Sequence, residues 1–181
     1  MKWITNHLQI KGDKSIEVLQ SLLTTTTEYV QDEPEEWVNI DFNKICPMPD
    51  ALKEDVIPNV VKENWCLANW GVRKNAFDTQ IPEENKADVF FDTANGTVEG
   101  LIKELSATHP DCTFEYEYAD TEAGSFAGKC KFVNGQSIFQ EQYPAGSKEG
   151  YEMYFNLWGD KSKFTFNEQK NTYERAGMEM E

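Results

Sequence analysis

Cationic residues are scarce in this chain: 17 Lys and Arg stand against 32 Asp and Glu, a net charge of −15 with His neutral. Nucleic acids are bound largely through cations that displace condensed counterions, so this balance argues against direct nucleic-acid contact. Anionic membrane surfaces are disfavoured for the same reason. No apolar run approaches the length needed to span a bilayer, and Met1-Lys2-Trp3-Ile4-Thr5-Asn6-His7 lacks the apolar centre of a signal peptide. These absences point to a cytoplasmic protein. Four cysteines, Cys46, Cys66, Cys112 and Cys130, stand far apart with no Cys-x-x-Cys, which fits neither a disulfide framework nor zinc spacing. Reduced, mostly buried thiols are expected. The glycines are scattered and form no phosphate-binding loop. No cofactor or metal is expected.

Aromatics are plentiful, with eleven Phe, seven Tyr and five Trp, which supplies enough apolar area to order one sizeable core. A single domain over residues 1–170 is expected, with 171–181 as a flexible tail. Ile4, Leu8 and Ile10 suggest a first strand closed at Gly12-Asp13, and Ile16, Leu19, Leu22 and Leu23 recur at helical spacing. Residues 31–36, acidic and containing Pro34, read as an exposed loop. Trp37, Val38, Ile40, Phe42 and Ile45 suggest a second strand, ended by Cys46-Pro47-Met48-Pro49. Residues 64–69 read as a short helix, 72–81 as an extended piece and 89–93 as a central strand. Val98, Leu101, Ile102 and Leu105 mark a second core helix, capped by Asn95 or Thr97.

The clearest hairpin follows. Thr113–Tyr118 alternates, and in its pairing with 126–133 Glu115 and Glu117 are expected opposite Lys131 and Lys129. Asn134-Gly135 predicts a turn into a further strand over 137–142. Residues 150–158 predict a short C-terminal helix.

Several strings recur in one order: Cys46-Pro47-Met48-Pro49, Asn64-Trp65-Cys66 with Asn69-Trp70-Gly71, Phe91-Asp92-Thr93, Tyr116-Glu117-Tyr118 and Gly124-Ser125-Phe126-Ala127-Gly128. Together they resemble the YubB-type ferredoxin-like domain family of plasmid, phage and bacterial proteins of unknown function. The resemblance implies an α+β fold, a ferredoxin-like βαβ-βαβ antiparallel sheet with two helices on one face, plus insertions and the short C-terminal helix. The element order agrees with that plan.

Catalytic signals are weak. His7 precedes Leu8-Gln9 and His109 precedes Pro110-Asp111, so neither has the His-x-Thr/Ser form of a two-histidine phosphoesterase. They read as a strand residue and a helix C-terminal residue. Asp32, Glu33, Glu35 and Glu36 lack the glycine and spacing of a calcium loop and read as a solvated surface. Cys130 lies between Lys129 and Lys131, but strand alternation turns those lysines to the other face.

The remaining candidates for recognition are Trp65, Trp70, Tyr116, Glu117, Tyr118, Glu122, Phe126 and Trp158, since aromatics anchor interfaces. The reading favoured by the sequence is a non-enzymatic accessory protein of a mobile element or its bacterial host. It would bind a basic host protein, in one form as an acidic mimic of nucleic acid. The alternative is a small-ligand binder or enzyme with an aromatic and carboxylate-lined pocket. The sequence carries no signal of oligomeric state.

Overall fold

A computed structural model describes residues 2–177 of the chain. Its centre is a six-stranded antiparallel sheet in the order β4-β5-β1-β6-β7-β8. The strands are β1 (Trp3–Lys11), β4 (Phe77–Gln80), β5 (Asp88–Ala94), β6 (Thr113–Asp120), β7 (Ala127–Val133) and β8 (Gln136–Tyr143). Strand β1 is flanked on both sides by antiparallel partners, with Asn6 opposite Phe91 on β5 and opposite Tyr118 on β6. Helix α4 (Glu99–Thr108) connects β5 to β6 across β1. The chain therefore has an α+β fold, with the central strand supplied by its N-terminal segment.

Alternation sorts the side chains of β1 between two faces. Ile4, Leu8 and Ile10 are buried on the inner face. They share one core with Leu19 of helix α1 (Ser15–Ser21), Leu101, Ile102 and Leu105 of α4, and Phe91, Phe114, Tyr116 and Phe132 of the sheet. The outer face carries a separate small cluster, in which Met153 of helix α5 (Lys148–Trp158) packs on Ala119 and Ala127. Helices α1 and α4 thus share the inner face, while the C-terminal helix α5 covers the opposite one. Alanines stand where the helix approaches, leaving it room to lie close.

Asn6 occupies the centre of the inner face without exposure. Its amide donates to Ile4 O at 2.9 Å, Phe91 O at 3.0 Å and Thr93 Oγ1 at 3.0 Å. Its Oδ1 accepts from the Tyr116 hydroxyl at 2.5 Å, and that hydroxyl accepts from Val98 N–H at 3.1 Å. Every polar atom thus has a partner, which removes the cost of burying it. The expected side-chain cap of α4 by Asn95 or Thr97 is replaced by this network. Val98 is the N-cap and has no side-chain cap, and its N–H is satisfied from β6.

The first half of the chain departs most from expectation. Leu23–Val30 and Glu33–Ile40 form strands β2 and β3 of a two-stranded hairpin outside the main sheet. Gln31 and Asp32 connect them with φ of 53° and 69°, the left-handed pair of a two-residue hairpin turn. The acidic segment 31–36 is therefore a turn and a strand, not a loop, and the expected second strand of the main sheet is an arm. Its base alone is anchored, through buried Ile40. Phe42–Lys44 continues as one 3-10 turn whose Phe42 is buried, followed by helices α2 (Asp50–Lys53) and α3 (Asn59–Trp70). Helix α3 runs well past the six residues expected, and β4, within the expected extended piece, takes the sheet edge beside β5.

The expected flexible tail also changes. Thr172–Arg175 forms strand β10, paired with β9 (Phe164–Asn167), and Tyr173 is buried against Phe155 of α5 at a ring separation of 5.0 Å. Residues 178–181 of that expected tail lie outside the described residues. No helix among the described residues is long and apolar enough to cross a membrane.

Candidate functional site

The eight residues singled out by sequence lie in different parts of the fold. Trp70 is buried on α3, with its indole donating to Cys46 O at 2.8 Å, and Trp65 meets it edge-on at 5.7 Å. Tyr116 and Tyr118 are buried on the inner face of the sheet, with the Phe126 ring tilted against Tyr118 at 5.1 Å. Tyr118 packs so closely over Gly128 that a Cβ there would stand 2.5 Å from its hydroxyl. Burial, with the nearby charge of Glu99, raises the Tyr118 pKa. Trp158 fastens α5 to β6 by donating to Ala119 O at 3.3 Å. Glu122 is exposed, 3.8 Å from Lys2. Glu117 lies on the outer face of the sheet, away from the two tyrosines that flank it in sequence. Trp70, Tyr116 and Tyr118 belong to one core with Trp65 and Phe126 packed against it, while Glu117, Glu122 and Trp158 stand apart from that core.

Two regions carry exposed chemistry. The first is the outer face of the sheet beyond α5. His7 stacks on Phe90 with ring centroids 4.2 Å apart and planes 1° from parallel. Its Nε2 lies 3.1 Å from Asp88 Oδ2 and its Nδ1 lies 3.5 Å from Glu117 Oε2. Burial lowers the His7 pKa, but hydrogen bonds and charge from Glu117 and Asp88 outweigh it, and the net shift is upward. Next to this centre Glu115 is gripped by Lys11 at 2.7 Å and Lys131 at 3.1 Å. The expected register of Glu115 with Lys131 and Glu117 with Lys129 is the one found. Lys129 also lies over the Phe139 ring at 5.3 Å. The sequence reading set His7 aside for lacking a His-x-Thr/Ser form; its partners, Asp88 and Glu117, are 81 and 110 residues away. Cys130, on the inner face, is made inert by burial and by Glu99, with its thiol pushed up to about 12.

The second region is the arm formed by β2 and β3. Its 23–40 span holds Glu28, Asp32, Glu33, Glu35 and Glu36 and no Lys or Arg. Glu28 lies directly opposite Glu35 in the register, an arrangement that repels. None of the five carboxylates has an ion-pair partner among the described residues. Tyr29, Val30, Trp37 and Val38 are exposed on the same hairpin, with Tyr29 at 75%. An apolar and anionic surface is thereby held away from the core on a two-residue turn. The sequence reading missed it, although the four β-branched threonines Thr24–Thr27 favour a strand.

Among known proteins, the family model described as a ferredoxin-like domain in Api92-like protein matches residues 74–161, from just before β4 to just after α5. The chain is similar to that family over slightly less than half its length. The crystal structure of protein api92 from Yersinia pseudotuberculosis aligns at 18% identity with a TM-score of 0.47. That alignment covers 62% of this chain and 42% of the api92 chain. No curated protein matches. Neither description names an enzymatic activity.

Proposed function

We propose that this chain is a non-enzymatic accessory protein that acts by binding a basic protein, and that the β2–β3 arm is its recognition element. The observation that carries this reading is the arm's unpaired charge, with five carboxylates, Glu opposite Glu, and no cation within the hairpin. A hairpin selected for stability alone gains from opposite charges across the strands. This arm forgoes that gain and keeps its charge available to a partner. A negative arm steers a cationic surface towards it and gives association that weakens as salt rises. In the sharper form of the proposal, the carboxylates occupy a site that otherwise takes nucleic-acid phosphates. The setting we propose is the cytoplasm of a bacterium carrying a mobile element.

The test is affinity capture from nuclease-treated bacterial lysate at low and moderate salt. The intact chain is compared with a variant in which residues 27–36 are replaced by Asn-Gly, joining Thr26 to Trp37. A basic protein retained by the intact chain, released by salt and absent with the short arm is the expected result. Recovery equal to that of a charge-matched acidic control contradicts it.

A second reading, a small-ligand binder or enzyme, is favoured by His7. A histidine stacked on Phe90 and held between Asp88 and Glu117 is equipped to exchange a proton with a ligand on the open sheet face. Loss of ligand-induced shifts on His7→Gln, with the arm variant unaffected, is the result that would favour this reading over the first.

A further inference from the structure

Between the arm and the edge of the main sheet lies a cleft of about 400 Å³, lined by Glu28, Trp37 and Asn39 from the arm and by Phe77, Asp78 and Gln80 from β4. The arm is tied to β4 at its base, where Ile40 N–H donates to Thr79 Oγ1 at 3.0 Å. Trp37 is 47% exposed, so much of its indole faces solvent instead of a core. Phe77 is braced from behind by Trp3 at 5.6 Å, edge to face. Asp78 has a φ of 50° at the point where the β4–β5 register slips, and such an irregularity redirects the side chain it carries.

The charge of this cleft has one sign. Its lining contains the carboxylates of Glu28 and Asp78 and no cation, and neither carboxylate has an ion-pair partner among the described residues. The negative field reaches the neighbouring strand. Burial raises the pKa of Asp92, a hydrogen bond from Thr5 opposes this, and the charge of Asp78 raises it further.

We infer that this cleft takes a Lys- or Arg-bearing segment of a partner protein, with one cationic side chain laid against Trp37 between Glu28 and Asp78. The inference deepens the arm reading and rests on it for the partner being a protein. An aromatic face beside two carboxylates suits an ammonium or guanidinium group, whose stem packs on the ring while its charge meets the oxygens. An acidic segment would meet repulsion on both walls. A neutral one would fill the space but leave both carboxylates without a counterion.

The experiment uses the full ¹⁵N-labelled chain at low salt and two blocked hexapeptides, one alternating Arg and Thr, the other alternating Glu and Thr. The Arg peptide is expected to shift the Trp37 indole and the amides of 37–39 and 77–80. Its affinity is expected to fall roughly three- to tenfold in Trp37→Ala and in Asp78→Asn. Asn accepts the left-handed backbone at position 78, so Asp78→Asn removes charge without imposing strain. Salt-sensitive shifts confined to residues 30–35, with affinity unchanged in both variants, would overturn the cleft and leave the arm reading standing. No salt-sensitive binding of the Arg peptide anywhere would overturn both. Equal binding of the Glu peptide would overturn the role of charge.

Discussion

Two β-hairpins of this chain follow opposite charge rules. In β6–β7, Glu115 faces Lys131 and Glu117 faces Lys129, one side of the hairpin is buried, and the ion pair to Lys131 closes at 3.1 Å. In β2–β3, Glu28 faces Glu35, only the base is buried, and the acidic residues have no cation within the hairpin. Each opposed pair is worth roughly 0.2 to 1 kcal/mol, favourable for unlike charges and unfavourable for like ones. The contrast shows that this chain pairs its charges where strands must hold a fold together. It leaves them unpaired where a hairpin projects from the fold. The arm departs from the pairing rule that the core hairpin keeps.

The largest loss is expected at the core side of β6–β7. Tyr116→Phe removes the donor to Asn6 and the acceptor for Val98 N–H, leaving two buried polar groups unpaired. A loss of about 2 to 4 kcal/mol is expected in chemical denaturation, and a loss below about 0.5 would contradict the network's role. Gly128→Ala forces a Cβ against the Tyr118 hydroxyl and Glu141 O, at 2.5 and 2.7 Å. It should cost about 1 to 3 kcal/mol by the same measurement. On the outer face, Glu115→Gln releases both Lys11 and Lys131. These groups are partly exposed, so the expected cost is only about 0.5 to 1 kcal/mol and should shrink further in high salt.

His7 adds a pH test of the same face. Its folded pKa is raised, so its contribution to stability is complete below the unfolded value of about 6.5 and is lost as pH rises through the folded pKa. Stability should therefore decline across that window in the native chain and decline less in His7→Gln. Identical pH profiles for the two chains would remove Asp88 and Glu117 as its stabilising partners.

Legibility in the sequence followed the range of the interactions. The β6–β7 register was readable because alternation and charge pairing lie within one short stretch, and Asn134-Gly135 marked the next turn, where φ is 46° and 71°. Strands β5 and β8 and helix α5 were readable for similar local reasons. The arm was not, because Gln31-Asp32 lacks the glycine that usually announces a two-residue turn, and Pro34 reads as a strand breaker although this strand is open to solvent. The fate of the aromatics was also hidden. Tyr116 and Glu117 are neighbours in sequence, yet the first is sealed under α4 and the second faces out beside His7. His7 acquired chemistry only when β5 and β6 closed on both sides of β1, a long-range event that no local string records.

On the reading proposed above, the arm's unpaired charge is held for a cationic partner at the expense of the arm's own stability. Glu28→Lys tests it directly, because it turns the opposed Glu28 and Glu35 into an unlike pair while removing one wall of the cleft. Amide hydrogen exchange of β2–β3 is measured in the native and substituted chains, each with and without the Arg-Thr peptide. The substituted arm is expected to exchange more slowly when free and to gain no further protection from the peptide. In the native arm, protection should come only with the peptide. A substituted arm that is no better protected when free, or that the peptide protects as well as the native one, would contradict the account.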